Sequence, residues 1–279
     1  MVYTAGSSSV TNLAGLSQER ADLPALYLRF NDPAFHAATN SGTLGTAADG
    51  SLVDATDISA GPLSPTYAGF DLFNTALPLD DLTQFASFNN PTGLNISGQI
   101  SLEAWIQPAA SQGTTARLIT HGPQTISSYL APNGDYVNAI TNTTEVFLKI
   151  DGAGANYSVG SARYDDLTGT NTTYEATAPV PGADLGGTAW VHLVGTYDGA
   201  NWKLYRNGLL LATQASATGA LAVTNGDWAV GATGGGWADN FAGNIDHGIC
   251  PSCAPGYRES LRQEAGAYRT NKRSAPGNT

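Results

Sequence analysis

The sequence predicts an all-β protein, either a sandwich or a barrel, and three observations carry this prediction. Short apolar runs recur along the chain, each bounded by Gly, Pro, Asn or Asp, with no long amphipathic segment in the body. Residues 190–213, WVHLVGTYDGANWKLYRNGLLLAT, contain two hairpin signals. The composition agrees, because 33 glycines and only 13% charged residues occur among 279 positions.

The two hairpin signals predict three antiparallel strands in a meander. Asp198-Gly199 and Asn207-Gly208 are each flanked by strand-forming residues, and both pairs tolerate the positive φ angles of tight hairpin turns. Because these aspartate and asparagine residues belong to turns, the meander is interpreted as scaffold rather than as a recognition surface.

Further strands are predicted along the chain. After an arm at residues 1–22, the alternating residues 25–30 predict the first strand of the body. In residues 99–106, Glu103 and Trp105 share one face and the apolar residues form the other. Shorter strands are predicted at 116–120, 126–130, 146–150, 157–159 and 228–230, and within 68–79. The polar stretch 161–188 is interpreted as an insertion at a sheet edge, and the one notable helix is predicted at 257–268.

Charge and terminal segments limit the function classes. The net charge of −11 argues against nucleic-acid binding and is compatible with either simple solubility or divalent cation binding. The sequence has no run of 18 apolar residues, so no membrane span is predicted, and the N-terminus lacks the features of a signal peptide. We expect a protein of the extracellular space, a cell surface or a virion. The basic segment 247–279 is predicted to be an atypical tail.

The two cysteines, Cys250 and Cys253, form a lone CxxC pair. Such a pair is compatible with a local disulfide, half of a zinc site or a redox motif. His247 is the only nearby further metal ligand, and Pro and Gly surround the pair, so a minor structural role is favoured over catalysis.

Three segments in order, ISLEAWIQP, the meander and WAVGATGGGWADNFAGNID, resemble the laminin-G-like, concanavalin-A-like lectin and glucanase superfamily. The resemblance covers roughly residues 25–246 and implies an all-β fold, a two-sheet antiparallel β-sandwich of the jelly-roll type with little helix. It implies a domain at 23–246. The similarity ends at Asp246, so the closing strand is expected to be missing or altered.

Catalysis is not expected. Retaining glucanases of this superfamily need an E-x-D-x-x-E strand with two carboxylates about 5 Å apart, and the sequence has no such motif. Glu103 has Ser and Trp at the corresponding positions, and His192 is interpreted as a hydrogen-bonded framework residue. The resemblance instead implies calcium as a possible cofactor, with Asp80, Asp81 and Asp246 as ligands, against the alternative that these carboxylates cap turns.

The glycine-rich loop 231–244 has the best chemistry for recognition. Its glycines allow close backbone approach, Trp237 is suited to stack on a sugar, and Asp239 and Asn240 are suited to bond hydroxyls. The alternative is that Trp237 packs on the sandwich. We therefore expect a non-catalytic glycan-binding or adhesion module that recognises a glycan or surface glycoprotein. The alternative is a structural protein of a virion surface or extracellular filament, whose partners are copies of itself or other structural proteins.

Overall fold

The computed structural model describes residues 24–250, with gaps at 32–36, 56–57, 68–69, 71, 81, 89, 91, 124, 131–135, 141–143, 166–167, 169, 224–225 and 237. The arm, the predicted helix at 257–268, Cys253, Asp81 and Trp237 all lie outside the described residues. In the described part of the chain, no helix reaches the length and hydropathy that a membrane crossing requires.

Antiparallel strands form nearly all of the regular structure, with two short 3-10 turns at Gly45–Ala48 and Thr92–Leu94. The described strands are β1 Ala37–Ala38, β2 Gly50–Val53, β3 Ser59–Ala60, β4 Thr75–Asp80, β5 Phe85–Phe88, β6 Ile100–Pro108, β7 Thr115–His121, β8 Thr125–Leu130, β9 Tyr136–Ile140, β10 Thr144–Asp151, β11 Asn156–Asp165, β12 Thr170–Pro179, β13 Val191–Tyr197, β14 Asn201–Arg206, β15 Leu209–Ala215, β16 Trp228–Val230 and β17 Ala242–Cys250.

Two sheets stack into the predicted sandwich. The eight-stranded sheet has the order β1-β2-β5-β16-β7-β10-β11-β12, and the seven-stranded sheet has the order β15-β14-β13-β6-β17-β4-β3. β8 and β9 form a separate hairpin between β7 and β10. Alternate residues of both sheets fill the space between them, since Leu102 and Ile106 of β6 and Leu148 and Ile150 of β10 are fully buried in one core.

The predicted meander is confirmed as β13-β14-β15, and its turns are held by side chains. Asn207 and Gly208 have φ angles of 49° and 73°, as a two-residue hairpin requires. The Asn207 amide oxygen also accepts the backbone N–H of His192 at 2.8 Å. At the other turn, Asp198 Oδ1 accepts the backbone N–H groups of Ala200 and Asn201. The turn residues are therefore structural.

The prediction of a first strand at 25–30 is wrong in extent, because only an isolated bridge joins Leu28 to Asn40. The Asn40 side chain supplies hydrogen bonds that pairing with a neighbouring strand would otherwise supply. Its oxygen accepts the backbone N–H groups of Tyr27 and Gly42 at 2.8 and 2.7 Å, and its amide donates to the carbonyl of Ala25. A side chain that bonds backbone groups in this way competes with strand pairing.

The stretch 161–188 lies at a sheet edge as predicted, but much of it is paired strand. β12 pairs with β11 over ten residues, from Asn156↔Pro179 to Asp165↔Thr170. Its sequence, TNTTYEATAP, is rich in threonine, whose branched Cβ favours extended backbone. The loop that follows is fixed by Asp184, which accepts hydrogen bonds from Tyr157 and Arg206. The insertion is thus an ordered hairpin.

The closing strand is altered rather than missing. β17 continues past Asp246 to Cys250 and stays paired with β6, but its register shifts twice, between Asp246 and Gly248 and between Gly248 and Cys250. Each shift marks a bulge or irregularity in the backbone pairing of the two strands. The sequence after Asp246 therefore departs from the family pattern while the strand itself persists.

Candidate functional site

The glycine-rich loop lies along β7, and Gly231 and Asp239 both hydrogen-bond that strand. The backbone carbonyl of Asp239 accepts the N–H of Arg117 at 2.8 Å, and its carboxylate lies 3.2 Å from Arg117 Nε. Asp239 has a φ of 57°, a strained conformation for a residue with a side chain. Asn240 is buried, and its amide nitrogen has no hydrogen-bond partner among the described residues.

The glycines of this loop approach the protein itself closely. A Cβ at Gly236 would lie 1.9 Å from the Phe85 ring, and one at Gly234 would lie 2.3 Å from the carbonyl oxygen of Asp227. Contacts this short are forbidden, so both positions require glycine to let the loop pack on the eight-stranded sheet. These two glycines therefore serve packing on the sheet.

Asp239 belongs to a group of charged side chains on the outer face of the eight-stranded sheet, the face turned away from the core. We call this group the polar cluster. It surrounds the fully buried ring of Phe147 in β10. The members lie on β7, β10, β12 and the glycine-rich loop, and they are Arg117, Glu145, Lys149, Asp151, Glu175 and Asp239.

Two cations organise the polar cluster. Arg117 Nη1 lies 2.8 Å from Glu145 Oε2, while Lys149 Nζ lies 3.0 Å from Asp151 Oδ2 and 3.8 Å from Glu175 Oε2. The Lys149 ammonium also lies 4.0 Å from the centre of the Phe147 ring. Because a cation already covers this ring, recognition at the cluster must use its polar groups rather than stacking on Phe147.

The polar cluster retains hydrogen-bonding capacity. Glu175 Oε2 is shielded from solvent and has no hydrogen-bond donor among the described residues, since Lys149 Nζ lies 3.8 Å away, whereas Glu145 Oε2 is paired with Arg117. Burial, and then the neighbouring carboxylates of Asp151 and Glu145, raise the pKa of Glu175 against the opposing effect of Lys149. Buried polar atoms without partners are costly, so a ligand that donates to them would be favoured.

The cluster opens to solvent on one side. Side-chain exposure is only 9% at Arg117, but it rises to 31% at Glu175 and 35% at Asp239. With two cations against four carboxylates, its formal charge is −2 when all groups are ionised. This arrangement can bond a ligand rich in hydroxyl groups, and it repels an anion.

The outer face of the seven-stranded sheet carries a second group, the aromatic cluster, and this group is closed. Trp105 stacks on His192 with ring centres 4.6 Å apart, and His192 Nε2 lies 2.7 Å from the Glu103 carboxylate. Tyr67 and Phe70 pack edge-on against Trp105. The interpretation of His192 as a buried, hydrogen-bonded framework residue is confirmed.

Two of the three predicted calcium ligands, Asp80 and Asp246, do not lie together. Asp246 is fully buried on the aromatic-cluster face and accepts a hydrogen bond from the Asn74 amide. Asp80 ends β4 and is exposed, where its carboxylate accepts the backbone N–H of Leu82. Asp80 pairs with Ala242, four residues before Asp246 on β17, a separation of roughly 13 Å along the strand. Among the described residues, no group of three or more His, Cys, Asp or Glu residues can hold a metal ion.

The sequence analysis missed most of the polar cluster, although β10 carries its signal. In TEVFLKID, Val146, Leu148 and Ile150 form the core face. The alternate residues, which face away from the core, are charged apart from one aromatic residue. They are Glu145, Phe147, Lys149 and Asp151. A polar face interrupted by an aromatic residue is visible in sequence, but its neighbours on β7 and β12 depend on register.

This architecture defines a lectin-like β-sandwich of the jelly-roll class. Residues 80–247 match the family model of the concanavalin A-like lectin/glucanases superfamily, and the chain belongs to that family. A comparison with curated protein sequences found no match.

Solved structures share this fold at low sequence identity. Domain 4 of AbnA, an extracellular arabinanase of Geobacillus stearothermophilus solved with arabinotriose, is 16% identical. The alignment covers 87% of this chain and 98% of that domain, with a TM-score of 0.51. The binding domain of Paraclostridial Mosquitocidal Protein 1 is 11% identical, with 88% and 53% coverage and a TM-score of 0.57. The botulinum neurotoxin serotype G binding domain is 12% identical, with 89% and 52% coverage and a TM-score of 0.52. The chain thus spans about half of each toxin domain.

Proposed function

We propose that the protein is a non-catalytic glycan-binding module of the extracellular space or a cell surface, and that the polar cluster binds a neutral glycan. The observation that carries the proposal is the carboxylate oxygen Oε2 of Glu175, which has no hydrogen-bond donor among the described residues and belongs to a cluster that opens to solvent at Glu175 and Asp239. Sugar hydroxyls are donors that such oxygens accept, and Lys149 and Arg117 supply donors in return.

Two further points support this choice. The AbnA domain with the shared fold was solved with arabinotriose, and this chain covers nearly all of that domain. The cluster's formal charge of −2 and the chain's net charge of −11 both disfavour sialylated, sulfated or uronic glycans. The proposed partner is therefore an uncharged oligosaccharide, free or on a surface glycoprotein.

The proposal needs neither calcium nor catalysis. Asp246 is bonded to Asn74 and lies apart from Asp80, so this carboxylate pair does not fit a calcium site. Glu103 is held by His192 on the closed face, and the sequence lacks the paired carboxylates of a glucanase. We expect the same affinity in calcium and in EDTA, and no release of reducing ends from a bound oligosaccharide.

The test is a screen of neutral and acidic glycans followed by calorimetry on two matched variants. Lys149→Gln and Lys203→Gln each remove the ammonium of a strand lysine. These ammonium groups lie 3.0 and 2.6 Å from an aspartate carboxylate. Lys149 belongs to the polar cluster, whereas Lys203 holds Asp198 in the β13–β14 turn on the other sheet. We expect Lys149→Gln to weaken binding about tenfold and Lys203→Gln to leave it unchanged.

Three outcomes would contradict the proposal. The first is a protein that binds no glycan on the array. The second is a protein that prefers acidic glycans. The third is an equal loss of affinity in both lysine variants, because the site would then lie away from the polar cluster. Thermal unfolding of each variant confirms that it is folded before its affinity is compared.

A further inference from the structure

One side of the sandwich ends in an exposed apolar strand. β15 is the terminal strand of the seven-stranded sheet, and among the described strands it pairs only with β14. Leu209, Leu210 and Leu211 are 53%, 54% and 39% exposed. An extra residue in β15 opposite the Leu204–Tyr205 step makes a bulge at Leu211, and the bulge leaves all three leucines on the surface. Three adjacent exposed leucines form a patch that water solvates poorly.

The strand also lacks the usual protection of a sheet edge. Natural edge strands carry lysines, prolines or inward-pointing charges that oppose pairing with another chain. β15 reads LLLATQA and contains no charged residue or proline, in a protein with 23 acidic and 12 basic residues.

Two of the charges nearest to this side are already neutralised within the chain. Lys203 and Arg206 lie on the adjacent strand β14, and they pair with Asp198 and Asp184. β12, the terminal strand of the other sheet, lies against β15, and its single charged residue, Glu175, turns onto the outer face towards Lys149. Neither β12 nor β15 therefore adds a charge to the side that they form, although Arg163 of the neighbouring strand β11 is exposed.

We infer that this side binds a second copy of the same chain about a two-fold axis, with the three leucines of both copies at the centre. Groups near a two-fold axis lie close to their own counterparts, so a charge at the centre of the patch would face a like charge. The absence of charge here is what such a contact requires, whereas a different protein partner would use complementary charges. The inference does not depend on the glycan proposal.

The available area fits a reversible dimer. The ten residues of β12 extend about 33 Å, and two stacked sheets with their side chains span roughly 20 Å, so each copy offers on the order of 600 Å². Two such surfaces bury about 1,200 Å², the lower limit for a specific interface. We therefore expect a dissociation constant in the micromolar range.

The test is sedimentation velocity and equilibrium on the full chain from about 1 to 300 µM, a range that spans micromolar affinity. The two variants are Leu210→Lys in β15 and Leu82→Lys in the β4–β5 turn, where the leucine is 70% exposed. We expect concentration-dependent dimers of the wild type and of Leu82→Lys, and at least tenfold weaker association of Leu210→Lys. A wild type that stays monomeric overturns the inference, and so does equal weakening by both variants.

Hydrogen exchange at low and high concentration supplies a second readout. We expect the backbone amides of β15 to gain protection only at concentrations where the dimer forms. Protection of β15 in a monomer would show that a segment of the same chain covers the edge, which also overturns the inference. Glycan affinity measured on Leu210→Lys separates the two proposals, because we expect it to match the wild type.

Discussion

The two outer faces of the sandwich use similar residues with different results. On the seven-stranded sheet, Glu103, His192 and Trp105 are packed under Tyr67 and Phe70, and the histidine and glutamate bond each other. On the eight-stranded sheet, charged side chains surround an aromatic ring, but the cluster opens to solvent and the Glu175 oxygen Oε2 has no hydrogen-bond donor among the described residues. Satisfied and closed polar groups stabilise a fold, whereas open and unsatisfied groups are suited to bind.

The largest expected effect is on the closed face. Trp105→Ala removes a ring that contacts His192, Tyr67 and Phe70, and we expect the free energy of unfolding to fall by about 3 kcal/mol. Urea unfolding measures this loss. A loss below about 1 kcal/mol would show that the aromatic cluster is not the structural face described above.

The second effect is also on the closed face. Asp246→Ala leaves the buried Asn74 amide without its carboxylate, so we expect a loss of about 2 kcal/mol in urea unfolding, with no dependence on calcium. Asp80→Ala is the comparison, because Asp80 is exposed, and we expect it to change stability by less than about 0.5 kcal/mol. If calcium stabilised the wild type and both variants abolished that effect, the result would instead support a metal site shared by the two aspartates.

On the open face, we expect affinity to change more than stability. Asp239→Asn weakens the ion pair with Arg117 but keeps the backbone hydrogen bond between the same residues. We expect glycan affinity to fall about tenfold, while stability changes by less than about 1 kcal/mol, because this carboxylate is 35% exposed. A variant with a much lower free energy of unfolding but unchanged glycan affinity would reverse the assignment of the two faces.

The smallest effect is a change in pH dependence. Because the pKa of Glu175 is raised in the folded protein, the folded chain binds this proton more tightly than the unfolded chain does. Its contribution to stability is full below the ordinary pKa of 4.5 and is lost as pH rises through the folded-state value. We therefore expect Glu175→Gln to gain stability relative to the wild type as the pH rises above 4.5, by less than about 1 kcal/mol. If the free energies of unfolding of the wild type and of Glu175→Gln, measured in urea, changed in parallel with pH, this account would be contradicted.

The sequence predicts local features well because local chemistry determines them. The alternation in β6 and the two turns of the meander follow from neighbouring residues, whereas the framework role of His192 was implied by the family resemblance. The strand at 25–30 was predicted wrongly because the side chain of Asn40, at least ten residues away, hydrogen-bonds the backbone groups that a paired strand would use.

The polar cluster was missed because its members come from separate strands and one loop. Arg117 lies opposite Lys149 only through the register of β7 and β10, which includes a bulge. Of the predicted sugar ligands, Asp239 lies at this cluster, Asn240 is buried beside it, and Trp237 stays a prediction. Sequence spacing carries no information on such cross-strand register when a bulge intervenes.

Hydrogen exchange with and without the tightest-binding neutral glycan tests the central claim most directly. If the open face is the binding surface, the ligand will protect backbone amides of the loop 231–241 and of β7, β10 and β12, and it will leave β6, β13 and residues 58–67 unchanged. Protection confined to the seven-stranded sheet, or no protection under saturating glycan, would contradict the account.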